Sequence, residues 1–135
     1  NLICALEVPM EQTPSYGVLD PGARNGTLTE VRGLVEKPAA GTAPSNLIIA
    51  GRYILQPEVM TLLARHEKGA GGEIQLTDSM LDLAAREAFH AVRFDGKVYD
   101  TGSKLGFLSA NVAYAMTRPD IAPEFRKAIG DILNG

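Results

Sequence analysis

The chain has 135 residues, of which 45% are hydrophobic and 21% charged, with a formal net charge of -3 at pH 7. That length fits one domain with a real core, and the composition excludes a disordered polypeptide. The slight negative charge excludes a basic footprint for nucleic acid, so any phosphate site must be local, built from a few cations and backbone amides.

Cys4 stands alone in an apolar run. It rules out a disulfide framework within the chain and points to a cytoplasmic setting, with the thiol as a small core residue. No apolar run approaches the ~20 residues of a membrane span, and no segment has the pattern of a signal peptide. No membrane association is expected.

Residues 2–8 predict a strand closed by Pro9. It opens without a starter Met or a leading turn, as in a chain cut inside a larger fold, and its apolar edge and face are expected to lie uncovered. Tyr16-Gly17-Val18-Leu19 is a short extended piece, and Pro21-Gly22-Ala23-Arg24-Asn25-Gly26 is rich in turn formers. Residues 28–37 predict the strand that completes a hairpin. After a loop of small residues comes a strand over 46–55, interrupted at Gly51. That glycine is either a bulge or a place where something approaches the backbone closely.

At Pro57 the period changes, and Val59, Met60, Leu62 and Leu63 predict a helix that ends before Gly69-Ala70-Gly71-Gly72. Thr77 or a near neighbour is expected to cap the next helix, whose apolar stripe is Met80, Leu81, Leu83 and Ala84. Residues 89–94 alternate as a strand, Asp95-Gly96 reads as a hairpin-type turn, and Lys97-Val98-Tyr99 leads back. Ser103 is the natural N-cap of a helix to about residue 117, with Leu105, Leu108 and Val112 on one face. Pro123 starts a last helix, with Phe125, Ile129, Ile132 and Leu133 expected to face inward. This order predicts the α/β class, with a mixed sheet flanked by helices.

Three charged clusters fall at strand ends or glycine-rich boundaries: Glu36/Lys37, Glu73 after Gly71-Gly72, and Asp100 before Thr101-Gly102. Open α/β sheets bind ligands at strand carboxyl ends. Regular alternation would send Glu36 and Lys37 to opposite faces, and Pro38 restricts Lys37 to extended geometry. A carboxylate there suits sugar hydroxyls, and an ammonium suits a phosphate. Asp100 has two readings, a ligand for a hard divalent cation or a turn and cap residue. The run from Gly69 to Glu73 lacks the Lys-Ser or Lys-Thr of a Walker loop. Neither His66 nor His90 has a partner at ligand spacing or is placed to activate Cys4, and no Gly-x-Ser-x-Gly elbow occurs.

Five segments in this order resemble the C-terminal half of the bacterial UTP-glucose-1-phosphate uridylyltransferases, in the sugar-nucleotide nucleotidyltransferase superfamily. They are Tyr16-Gly17-Val18; Gly33-Leu34-Val35-Glu36-Lys37-Pro38; Pro44-Ser45-Asn46-Leu47 with Gly51-Arg52-Tyr53; Gly71-Gly72-Glu73-Ile74-Gln75-Leu76-Thr77-Asp78; and Tyr99-Asp100-Thr101-Gly102-Ser103-Lys104-Leu105-Gly106. The resemblance implies a Rossmann-like fold, with residues 1–135 as its C-terminal, sugar-phosphate-binding portion. The family's N-terminal Gly-rich nucleotide-phosphate loop, its uridine-reading segment and an upstream aspartate have no counterpart in this sequence. By resemblance, Glu36 binds glucose hydroxyls, Lys37 binds the sugar phosphate and assists transfer, and Gly17 brings backbone close to the sugar. Gly51 joins these as a substrate-binding position, and Asp100 holds Mg²⁺ with the upstream aspartate. The implied reaction joins UTP and glucose 1-phosphate into UDP-glucose and pyrophosphate, in a cytoplasmic homo-oligomer. Two alternatives stay open: a non-catalytic sugar-phosphate-binding or assembly module, and a thymidylyltransferase of the same superfamily.

Overall fold

Alternation in the first strand sets the inside of the fold. In β1 (Leu2–Glu7) Ile3 and Ala5 are fully buried, while Leu2, Cys4 and Leu6 are half-buried on the other face. The structure, a computed structural model, describes residues 1–69 and 72–135 in two units, Asn1–Asp95 and Gly96–Gly135. Among the described residues, no helix is long and apolar enough to cross a membrane.

In the first unit a 3₁₀ turn (Met10–Ser15) leads to β2 (Gly17–Asn25), β3 (Leu28–Glu36) and β4 (Leu47–Ile54). Two helices, α1 (Glu58–Leu63) and α2 (Leu76–Ala84), precede β5 (His90–Arg93). The strands close into a ring in the order β1-β4-β2-β3-β5, which joins β5 back to β1. The β1/β5 pair is parallel and the others are antiparallel, so the expected mixed sheet is present. Ile3, Ala5, Leu19, Val31, Leu34 and Leu47 pack with Val59 and Leu62 of α1 and Met80 and Leu83 of α2 into one core.

Several expectations change. β1 is not an uncovered edge, because it pairs with β4 on one side and β5 on the other. Cys4 is half-buried rather than a core residue, since alternation turns it away from Ile3 and Ala5. The hairpin of β2 and β3 forms, but Pro21 and Gly22 lie inside β2, and the chain turns only where Gly26 has φ 61°. Irregularities in the pairing flank Pro21 on both sides and accommodate a residue that cannot donate to the ladder. Residues 97–99 form no strand; β5 ends at Arg93 and already has β1 and β3 as neighbours. Ala70 and Gly71, of the expected glycine-rich connection, lie outside the described residues.

The second unit contains α3 (Lys104–Thr117) and α4 (Ala122–Asn134). Ser103 caps α3 as expected, its hydroxyl accepting from the Gly106 amide at 3.0 Å. In α4, Phe125 and Ile129 are half-buried, but Ile132 and Leu133 are 78% and 79% exposed instead of facing inward. In α3, Leu105 and Leu108 are likewise exposed.

Candidate substrate-binding site

The decisive local event is a bulge in β3. Thr29 and Val31 are buried, so regular alternation would bury residues 33 and 35 and turn Glu36 outward. Asp20 pairs with Gly33 and Pro21 with Val31, so Arg32 is an extra residue without a partner on β2. The phase of the strand shifts by one. Leu34 becomes buried, Val35 is 42% exposed, and Glu36 shares the face of Leu34.

On that face the Thr77 hydroxyl, from the first turn of α2, donates to Glu36 Oε2 at 2.7 Å. Of the options the sequence leaves for the cap, Thr77 or a near neighbour, the neighbour stands at the helix start. Gln75 occupies the N-cap position, and Thr77, at 7% exposure, lies on the buried stripe with Met80 and Leu83. Gly17 pairs with Glu36 across β2 and β3. A Cβ at Gly17 would lie 2.9 Å from Ile49 Cδ1 and 3.0 Å from Glu36 Oε2, so bare backbone stands beside the carboxylate.

These groups line a cavity of about 290 Å³ with Tyr16, Gly51, Tyr53, Gln75 and others. Of the two readings of Gly51, the structure shows the bulge. Ile3 pairs with Tyr53 and Ala5 with Ile49, which makes residues 50–52 a bulge opposite Cys4, and Gly51 takes φ 69° at the cavity wall. Burial, and secondarily the charge of Glu36, push the Tyr53 phenol above its usual pKa. The cavity thus joins a carboxylate, a phenol that stays protonated and open backbone, a set that can hydrogen-bond vicinal hydroxyls.

Lys37 follows Glu36 but is exposed and is not among the residues lining the cavity. Its backbone is not extended as Pro38 predicts; φ is 45°, in the left-handed region. The Lys37 amide donates to the Tyr16 carbonyl at 3.0 Å, and this contact between neighbouring chain segments overrides the local preference.

Asp100 belongs to the second unit. Its Oδ1 accepts from the Gly102 amide at 3.0 Å and its carbonyl accepts from the Ser103 hydroxyl at 3.1 Å. A Cβ at Gly106 would lie 1.9 Å from that carbonyl, which explains the glycine there. An exposed carboxylate has the donor chemistry of a hard-cation ligand. Asp100 fits as one ligand only, because no cluster of three or more His, Cys, Asp or Glu side chains occurs among the described residues.

Of the expected substrate-binding positions, Gly17, Glu36 and Gly51 line this one cavity and Lys37 does not, while Thr77 and Tyr53, to which the sequence assigned no site role, line it too. A signal for Thr77 was present. Thr77, Met80 and Leu83 recur at helical spacing, and a hydroxyl on a buried stripe must find an acceptor.

The chain is 44% identical over 129 residues to a UTP–glucose-1-phosphate uridylyltransferase of Staphylococcus epidermidis, a match covering 96% of this chain and 45% of that relative. The chain thus spans about half the length of the curated relatives it matches. A solved UDP-glucose pyrophosphorylase complexed with UDP-glucose superimposes with TM-score 0.81 at 38% identity, covering 87% of this chain and 44% of that one. The UTP-bound enzyme of Acinetobacter baumannii gives TM-score 0.81 at 36% identity, over 95% of this chain and 44% of its own. The sequence pattern of the Nucleotidyl transferase family matches residues 2–117, and this chain belongs to that family.

Proposed function

We propose that residues 1–135 form the sugar-phosphate-binding portion of an enzyme that transfers a uridylyl group from UTP to glucose 1-phosphate. The observation that carries this reading is the cavity around Glu36, where a carboxylate, the Tyr53 phenol and the bare backbone of Gly17 stand together. The relatives named for this reaction, and a neighbour holding UDP-glucose, support the choice of substrates.

In the reaction an oxygen of the sugar phosphate attacks the α-phosphorus of UTP, forming one P–O bond as the bond to pyrophosphate breaks. Such a transfer needs alignment and charge neutralisation rather than a protein nucleophile. Glu36 holds sugar hydroxyls, Gly17 and Gly51 allow the ring to approach the backbone, and Lys37 binds the phosphate as a compact point charge. Asp100 would provide one carboxylate to Mg²⁺, which when bound neutralises charge on the transferring phosphoryl group. The protein is further read as a cytoplasmic homo-oligomer, and the apolar residues left exposed on α3 and α4 support assembly.

Steady-state kinetics of the complete enzyme test the reading. Glu36→Gln and Lys37→Ala should each raise KM for glucose 1-phosphate by about tenfold or more, since a charged hydrogen bond contributes roughly 1.5–3 kcal/mol. Lys37→Arg should recover part of the loss, because a planar fork does not replace an ammonium. Wild-type constants in both Glu36→Gln and Lys37→Ala would sink it.

A further inference from the structure

We propose that Thr77 is a positioning residue for sugar recognition, acting through Glu36 rather than on the substrate itself. The inference rests on the reading of Glu36 as a sugar ligand. A free glutamate side chain has three rotatable torsions, and burying it in one orientation sacrifices rotamer freedom. Two features of the fold restrict that choice. One carboxylate oxygen, Oε2, accepts the Thr77 hydroxyl at 2.7 Å, and the same oxygen abuts the position a Cβ at Gly17 would fill. Thr77 is itself fixed, being 7% exposed on the core face of α2 between the helix start and Met80.

This arrangement divides the work between the two carboxylate oxygens. A carboxylate has about four acceptor directions, and the Thr77 bond uses one on Oε2. The capacity of Oε1 is untouched by that bond and suits a pair of vicinal hydroxyls. With a rigid acceptor the hydroxyl directions become a criterion, so an epimer that misplaces one hydroxyl leaves a polar group unpaired. Remove the anchor and Glu36 can rotate. Binding of the sugar weakens, and epimers are distinguished less sharply.

The test compares Thr77→Val, which keeps the shape and removes the hydroxyl, with Thr77→Ser, which keeps the hydroxyl, in the complete enzyme. Thr77→Val should raise KM for glucose 1-phosphate about tenfold, with kcat and KM for UTP unchanged, as expected for loss of an interaction made equally in ground and transition states. It should also narrow the kcat/KM ratio between glucose 1-phosphate and galactose 1-phosphate, and Thr77→Ser should restore both. A purely structural role would instead lower kcat with the active fraction and leave the KM values and the epimer ratio unchanged. That outcome overturns the proposal, as does a Thr77→Ser variant as impaired as Thr77→Val. Should Thr77→Val not fold, Thr77→Cys, with a weak donor in a similar volume, stands in its place in the same comparison. Glu36→Gln separates the two levels. An impaired Glu36→Gln beside a wild-type Thr77→Val removes the role of Thr77 alone, whereas a wild-type Glu36→Gln removes the sugar-ligand reading beneath it.

Discussion

Asp100 holds a turn, and the metal role proposed for it can be tested apart from that turn. Its Oδ1 accepts from Gly102, and its carbonyl sits so close to Gly106 that no side chain fits there. Asn retains the Oδ1 acceptor and the shape, so Asp100→Asn should leave the thermal midpoint unchanged. If Asp100 also ligates Mg²⁺, the same change removes a formal charge from the metal's coordination. Activity of the complete enzyme should then fall by about tenfold to a hundredfold, with part restored by raising Mg²⁺. Wild-type turnover across the whole Mg²⁺ series would leave Asp100 as a turn residue. The Asx turn and the Ser103 cap were legible because both are decided within a few residues of sequence. The left-handed Lys37 was not, because the Tyr16 carbonyl that holds its amide lies about twenty residues away in sequence, between the 3₁₀ turn and β2.

At the scale of the element, β3 shows why an alternating pattern is read safely only between bulges. The segment Thr29-Glu30-Val31-Arg32-Gly33-Leu34-Val35-Glu36 has two phases, and nothing in its composition marks the switch as strongly as its register against β2 does. Two single deletions separate the phase argument from a general loss of strand stability. Without Arg32, Gly33 follows Val31 and both keep their partners on β2, so Leu34 and Glu36 remain on the inner face. The ion pair forfeited with Glu30 is exposed and 3.5 Å long, and solvent-screened pairs of this kind add little to stability. Deletion of Arg32 should therefore preserve KM for the sugar phosphate. Deletion of Val35 should turn Glu36 outward and Lys37 inward, and raise that KM by about tenfold or more. Equal damage from both deletions, measured with circular dichroism to verify folding, would refute the phase argument. Thr77 follows the same lesson: its helix was legible, but its bond depends on which phase of β3 faces that helix.

For the molecule as a whole, helices and strands were readable one at a time, whereas the strand order was not, because pairing partners lie far apart in sequence. The ring joins β1 to β4 and to β5, so Leu2 meets both Ile54 and His90. That connectivity has a consequence for synthesis. At about 5–20 residues per second, β1 is made seconds before the last of its partners, and a parallel pair at such separation forms late because loop closure must come first. A nascent chain halted before β5 has emerged holds Ile3 and Ala5 without their full cover, and β3 lacks its partner across the ring. Ribosome-bound chains ending at residue 88 plus a tunnel-length linker should thus be cut rapidly by protease within β1. Chains ending at residue 96 plus the same linker should resist. Equal resistance at both lengths would mean that the first strand finds its place without the last.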